Sequence, residues 1–186
     1  MKLVFHKIGK HFPDFFRIYR LYLKAFPPEE RAPFRRLINR ARSGYADFWS
    51  ITHDKEWIGF AYTVRYQHLV YLFYLAVDDT KRGQGYGHRI MAALKKHYAD
   101  NTFFLTRETL DPSTENAAER ENRHHFYLSC GMKDLPLQTK EFGVIYDVMS
   151  TGEMIDPDEY QAMMLAYGGP FVVRHMEMRT SFEEPK

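Results

Sequence analysis

The chain has 186 residues, 45% of them hydrophobic, with 26 Lys and Arg against 24 Asp and Glu for a net charge of +2. That length and composition specify one domain whose core buries roughly 70% of the surface that the unfolded chain exposes. They leave no excess charge of the kind that marks a nucleic-acid binder. The single cysteine, Cys130, excludes an internal disulfide and fits a reducing cytoplasm. No run approaches the ~18 apolar residues of a membrane span, and the start MKLVFHKI is too short and too polar for a secretory leader. The expectation is a soluble, cytoplasmic protein with no membrane partner.

Hydrophobic periodicity lays out the elements. Residues 3–8 read as a strand, and 14–26 as a helix with Phe15, Ile18, Tyr19, Tyr22 and Phe26 on one side. Pro27 and Pro28 stop it. A basic helix follows over 33–43, with Phe34, Leu37, Ile38 and Ala41 at helical spacing and Arg35, Arg36, Arg40 and Arg42 on its other faces. Gly44 caps it, and the arginines read as a solvated face rather than a nucleic-acid surface. Strands over 48–52 and 57–66 flank the polar turn 53–56. Residues 69–77 form a central strand, apolar on both faces as a buried strand should be. Strict alternation would place Tyr71 and Tyr74 on opposite faces, so that at most one faces an acceptor.

After residue 85 a helix carries the stripe Ile90, Met91, Leu94 and Tyr98, and 102–106 returns as a strand, completing a right-handed crossover. Residues 111–116 lead into a helix ending near Cys130, with Gly131 as cap. Residues 142–149 are strand-like. Asp156, Pro157 and Glu159 start an additional helix over 156–169, which Gly168, Gly169 and Pro170 end. A final strand is expected over 171–178. No repeats or low-complexity stretches occur.

The most informative stretch is YLFYLAVDDTKRGQGYGHRIMAALKK, residues 71–96. A hydrophobic strand gives way to Arg82-Gly83-Gln84-Gly85-Tyr86-Gly87 and then at once to a helix. Glycines let main chain approach a ligand, and the first amides of a helix are unpaired donors at its positive end, which suits a pyrophosphate. A P-loop would need Lys-Ser/Thr where the chain has His88-Arg89, so that reading fails. A dinucleotide fingerprint would put its glycines directly after the strand, and here they come several residues later, although Glu108 lies at a suitable distance for a ribose-binding acid.

The spacing R-x-x-G-x-G, filled by Arg82, Gly85 and Gly87, resembles the pyrophosphate motif of the GNAT superfamily of acetyl-CoA-dependent N-acetyltransferases. About forty residues on, Phe126-Tyr127-Leu128-Ser129-Cys130-Gly131-Met132 looks like the F-Y-x-x-x-G-[FM] end of that family's next helix. The resemblance implies an α/β single domain. Its sheet would be mixed and mostly antiparallel, of six or seven strands, with helices on both faces and a splayed central strand pair.

It also implies an activity: transfer of an acetyl group from acetyl-CoA, a co-substrate, to the primary amine of a small molecule or peptide, with no metal and no nucleic acid, in a monomer or a homodimer. By resemblance, Leu75, Ala76 and Val77 hold the pantetheine arm. Arg82, Gly83, Gln84, Gly85, Tyr86, Gly87 and His88 hold the pyrophosphate. Tyr127 lies beside the sulfur as its acid, the alternative being a core aromatic.

The family often carries an arm-contacting asparagine seven residues before the tyrosine, but here that position is Arg120. Asn116, Arg120 and Arg123 are therefore the candidates, with Asn116 also a plausible helix cap. Glu108 is the candidate general base or acceptor-binding acid, or else an exposed strand-end acid. His68, Tyr146 and an ordered-water relay are further routes for the proton. By resemblance, the linker 26–31 helps wall the acceptor site, with Glu29 and Glu30 as attractants for an amine or as solvated loop acids. Adjacent His124 and His125 point about 100° apart on a helix and make no shared metal site. Two other classes remain beside the enzyme: a non-catalytic acetyl-CoA sensor on this fold, and a nucleotide-dependent oxidoreductase.

Overall fold

The computed structural model describes residues 2–8, 14–152 and 154–180. The chain divides into two compact units, Met1–His97 and Tyr98–Lys186. The first contains β1 (Val4–Lys7), α1 (Phe15–Ala25), α2 (Phe34–Arg42), β2 (Ala46–His53), β3 (Glu56–Tyr66), β4 (Leu69–Val77) and α3 (Tyr86–His97). Its strands pair antiparallel in the order β1-β2-β3-β4. The second contains β5 (Thr102–Glu108), α4 (Ala117–Ser129), β6 (Lys133–Glu141), β7 (Val144–Ser150), α5 (Pro157–Gly168), α6 (Pro170–Arg174) and β8 (Met176–Thr180), and its strands pair antiparallel in the order β5-β7-β6-β8. The described residues thus hold eight strands, against the six or seven expected.

In the first unit, β3 and β4 are buried along nearly their whole length, as their unbroken apolar runs require. The β2–β3 connection puts both Asp54 (φ 51°) and Lys55 (φ 68°) in the left-handed region, the geometry that matches hairpin twist in a two-residue turn. Tyr22, Phe34, Phe48 and Phe60 form an aromatic core with ring centroids 5.3 to 6.4 Å apart. Asp14 stands before α1 without capping it, because its carboxylate accepts a 2.6 Å hydrogen bond from Ser50 Oγ.

One local irregularity overturns an expectation. Thr63 pairs with Leu72 while Tyr62 pairs with Tyr74, so β4 carries an extra residue, Phe73, in a bulge. Directly opposed residues share a face, and a bulge shifts the alternation by one. Tyr71, opposite Val64, and Tyr74, opposite Tyr62, therefore lie on the same face of β4, contrary to the strict alternation. Downstream of the bulge, β3 comes so close that a Cβ on Gly59 would stand 2.1 Å from the carbonyl oxygen of Ala76. Only glycine fits there, and that close approach holds the Leu75–Val77 main chain in place.

The second unit departs further from the sequence reading. β6 was not among the strands expected, and it accommodates Pro136 where its register against β7 shifts between Asp134 and Gln138. The strand expected from 142 begins at Val144, because Phe142 (φ 48°) and Gly143 (φ 94°) form the β6–β7 turn. The strand expected over 171–178 is instead two elements. Pro170 sits at the first position of α6, and β8 starts only at Met176. The Asp156 cap is as expected, its side chain accepting from the Asp158 amide at 2.8 Å.

Inside this unit the Glu141 carboxyl accepts from Tyr160 Oη (3.0 Å) and Thr139 Oγ1 (3.3 Å). Burial pushes its pKa above the ordinary value of 4.5, against the opposing pull of those two hydrogen bonds. A raised carboxyl pKa means that the folded state retains a proton which the unfolded chain gives up, so stability falls as pH rises past 4.5. Denaturant unfolding at a series of pH values is expected to show this decline in the parent protein and to lose it in Glu141→Gln.

Candidate active site

In the first unit the chain leaves β4 at Val77 and makes a single 3-10 turn, Asp79–Lys81, before α3 begins at Tyr86. Asp78 caps that turn, accepting from the Thr80 amide (3.0 Å) and hydroxyl (2.6 Å). Ion pairs from Lys24 to Asp79 and from Lys81 to Glu56 tie the turn to α1 and β3. The side chains of the glycine segment fold back on the loop itself. Arg82 Nε donates to Val77 O at 3.3 Å while its Nη2 pairs with Asp79 at 3.0 Å, and Gln84 Nε2 donates to Thr80 O at 3.1 Å. Tyr86 is held by His53, Nδ1 to Oη 3.0 Å, and lies under the Arg89 guanidinium.

Gly83 and Gly85 both have φ 74°, and an ideal Cβ on either would meet nothing within 4 Å. Their glycine requirement is therefore conformational, and the space in front of them is open. Arg89 is the first residue seen to close α3, on Gly85 O at 3.2 Å, so the amides of Tyr86, Gly87 and His88 belong to the first turn, which has no intrahelical acceptors. Open space, left-handed glycines and a helix start with Lys81, Arg82 and Arg89 close by in sequence fit a diphosphate.

Tyr74, turned by the bulge, ties β4 to the linker between α1 and α2. Its hydroxyl donates to Glu30 O (2.8 Å) and accepts from the Ala32 amide (2.9 Å). Tyr22 Oη donates to Ala32 O at 2.8 Å and lies 3.3 Å from Tyr74 Oη. Burial and the neighbouring Tyr74 push the Tyr22 pKa far above the phenol range, so it stays a donor at every working pH. Sequence reasoning missed this strap because it assumed a regular β4.

In the second unit, Glu108 ends β5 buried, with 7% of its surface exposed. Its Oε1 pairs with Arg120 Nη2 at 2.7 Å and its Oε2 with Arg123 Nη2 at 2.6 Å. Arg120 Nη1 donates to Thr109 O (2.9 Å) and its Nε to Asn116 Oδ1 (2.9 Å). Asn116 stands at the start of α4 without making a side-chain cap. The structure thus joins four sequence candidates, Glu108, Asn116, Arg120 and Arg123. The signal for this was in the sequence, two arginines three apart on one helix face beside a strand-end acid.

Tyr127 is half-buried near the end of α4, its carbonyl accepting from Cys130 N and Met132 N, each at 3.1 Å. Tyr146 lies directly opposite Glu108 across the β5–β7 pair, and His68 sits in the β3–β4 turn. Beside this cluster, Arg107 pairs with Asp134 (3.0 Å) and Asp147 (2.9 Å), and His124 Nε2 meets Asp134 at 2.8 Å. Burial works to raise the Asp134 pKa, but the bonds from His124 and Arg107 outweigh it and hold it below the usual range. The His124 and His125 rings stack 6.2 Å apart and 13° from parallel rather than diverging. Among the described residues no group of three or more His, Cys, Asp or Glu is placed to hold a metal, and no helix is long and apolar enough to cross a membrane.

Strand, glycine turn and helix on an antiparallel α/β frame define an acetyltransferase-type fold. The profile of the Acetyltransferase (GNAT) family matches residues 15–132, and the chain belongs to that family. Comparison with curated proteins returns no match. Among solved structures, a GNAT-family protein from Bacteroides thetaiotaomicron aligns over 91% of this chain and 98% of its own, with 19% identity and TM-score 0.73. A GNAT acetyltransferase from Elizabethkingia anophelis, solved with acetyl-CoA bound, covers 80% of this chain and 95% of its own, with 13% identity and TM-score 0.56. The aminoglycoside 6'-N-acetyltransferase from Enterococcus faecium covers 82% and 99%, with 16% identity and TM-score 0.58. At these identities the likeness is one of fold.

Proposed function

We propose that this chain transfers the acetyl group of acetyl-CoA to a primary amine of a small molecule or peptide by direct attack in a ternary complex, without a metal, in the cytoplasm. The observation that carries the reading is the pair of left-handed glycines, Gly83 and Gly85, facing open space where α3 begins. Main-chain nitrogens from Gly83 to His88 would hold the diphosphate, with Arg82 and Gln84 bracing the loop. Leu75, Ala76 and Val77 would hold the pantetheine arm along β4. Asn116 would reach that arm only through its NH2 group, since its oxygen is engaged by Arg120.

Acetyl-CoA supplies an activated thioester. The amine nitrogen bonds to its carbonyl carbon, the C–S bond breaks, the amine proton passes to a carboxylate or ordered water, and the sulfur takes a proton. Tyr127 suits that last step, because a phenol with an ordinary pKa of about 10 is protonated at neutral pH and can donate a hydrogen bond, or its proton, to the departing thiolate. Solved relatives of this fold include a spermidine N-acetyltransferase chimera and aminoglycoside 6'-N-acetyltransferases, which supports an amine acceptor.

Acetyl-CoA at a hundred times its dissociation constant is expected to stabilise the protein by about 2.7 kcal/mol, and NAD to leave it unchanged. Thermal-shift titration checks this, and no response to acetyl-CoA or CoA would end the reading. Thiol release across an amine panel then separates an enzyme from an acetyl-CoA sensor.

A further inference from the structure

We infer that Glu108 is a positioning residue, anchoring through Arg120 and Arg123 the helix that carries Tyr127, and is not the acceptor of the amine proton. The inference rests on the acetyl-transfer reading for its catalytic half and on the geometry of the second unit for its structural half.

α4 lacks what holds the other long helix of its unit. α5 buries Tyr160, Met163, Met164 and Tyr167, whereas α4 has no fully buried side chain. Polar contacts join α4 to the end of β5. Glu108 is buried at the end of β5 and both of its oxygens are engaged, one by each arginine of α4. Arg120 uses all three of its nitrogens, on Glu108, on the Thr109 carbonyl and on Asn116, so it braces the strand end against the first turns of the helix. A buried carboxylate needs such partners, and guanidinium groups supply them with fixed directions.

The brace is aligned with the proposed acid. On a helix of 3.6 residues per turn, positions 116, 120, 123 and 127 fall within an arc of about 60°. Arg123 stands one turn before Tyr127, and beyond the tyrosine the helix is fixed by the bond from the amide of buried Met132 to the Tyr127 carbonyl. The face that carries the tyrosine is thus pinned on one side by an ion pair and on the other by main chain. As a base Glu108 would have to act from oxygens that each already accept from an arginine, and taking up a proton would break a contact that two cations share. The amine proton then goes to another acceptor, His68, Tyr146 or ordered water.

The test uses the full chain as wild type, Glu108→Gln, Arg123→Gln and the double variant. Hydrogen–deuterium exchange is expected to show residues 117–129 exchanging at least tenfold faster in Glu108→Gln, with 86–97 unchanged. With an accepted amine, Glu108→Gln should lower kcat tenfold or more, keep the KM for acetyl-CoA within twofold, and leave the shape of the kcat/KM pH profile intact. The double variant should be no worse than the poorer single one.

Loss of the acidic limb of that profile, with additive effects in the double variant, would identify Glu108 as the base and overturn the inference. Unchanged exchange in α4 would overturn it as well, whether or not the chain transfers acetyl groups. If wild type bound acetyl-CoA and turned over no amine, the catalytic reading would fail by itself, and the exchange result would still decide the anchoring. Should Glu108→Gln not fold, Arg123→Gln, on the more exposed side of the cluster, carries the same two expectations, and normal exchange with normal kcat in it would overturn the inference.

Discussion

Gly85→Val is expected to weaken stabilisation by acetyl-CoA while the ligand-free protein keeps its fold. The native φ of 74° is one that an L-residue enters at a cost of about 1–2 kcal/mol, and a β-branched side chain fares worse than most. A Cβ at this position would touch nothing within 4 Å, so the effect is not a clash with the protein. The loop would instead relax to a negative φ, and the nitrogens that converge at the start of α3 would no longer share one focus. Since each 1.4 kcal/mol is a factor of ten, the dissociation constant should rise by about tenfold to a hundredfold. Calorimetric titration measures it, with Gly85→Ala expected to fall between parent and valine. Equal affinity in all three would mean that the diphosphate binds elsewhere.

Tyr127→Phe is expected to lower kcat by about a hundredfold or more, the range that a well-placed general acid contributes, with the KM for acetyl-CoA little changed. The change removes one oxygen from a half-buried side chain and leaves the ring packed beside Phe126, whose centroid lies 5.2 Å away. Stability should therefore hardly move. Steady-state thiol release with a validated amine reads the result, and full activity in the phenylalanine variant would take the hydroxyl out of the chemistry.

The first unit was largely legible because its signals are local. Glycines flanked by a hydrophobic strand and an amphipathic helix announce a turn, and Gly44 and the proline pair mark helix ends. What escaped reading depended on partners distant in sequence. The extra residue at Phe73 is visible only when β4 is laid against β3, and without it the faces of Tyr71 and Tyr74 come out wrong. β6, which carries Pro136, received no reading, and the apolar run after Pro170 made a short helix look like strand. Glu108 was visible as a strand-end acid, but its two partners, the arginines twelve and fifteen positions on, were not visible as such.

The bulge in β4 also constrains how this chain can be recombined with its relatives. A strand regularised over the same residues, with Phe73 brought into register opposite Tyr62, would restore even pleating and send Tyr74 to the opposite side from Tyr62. The hydroxyl would then let go of Glu30 and Ala32, and the linker they belong to would lose its mooring. Exchanges of side chains along residues 28–32 should therefore be far better tolerated than changes that iron out the bulge.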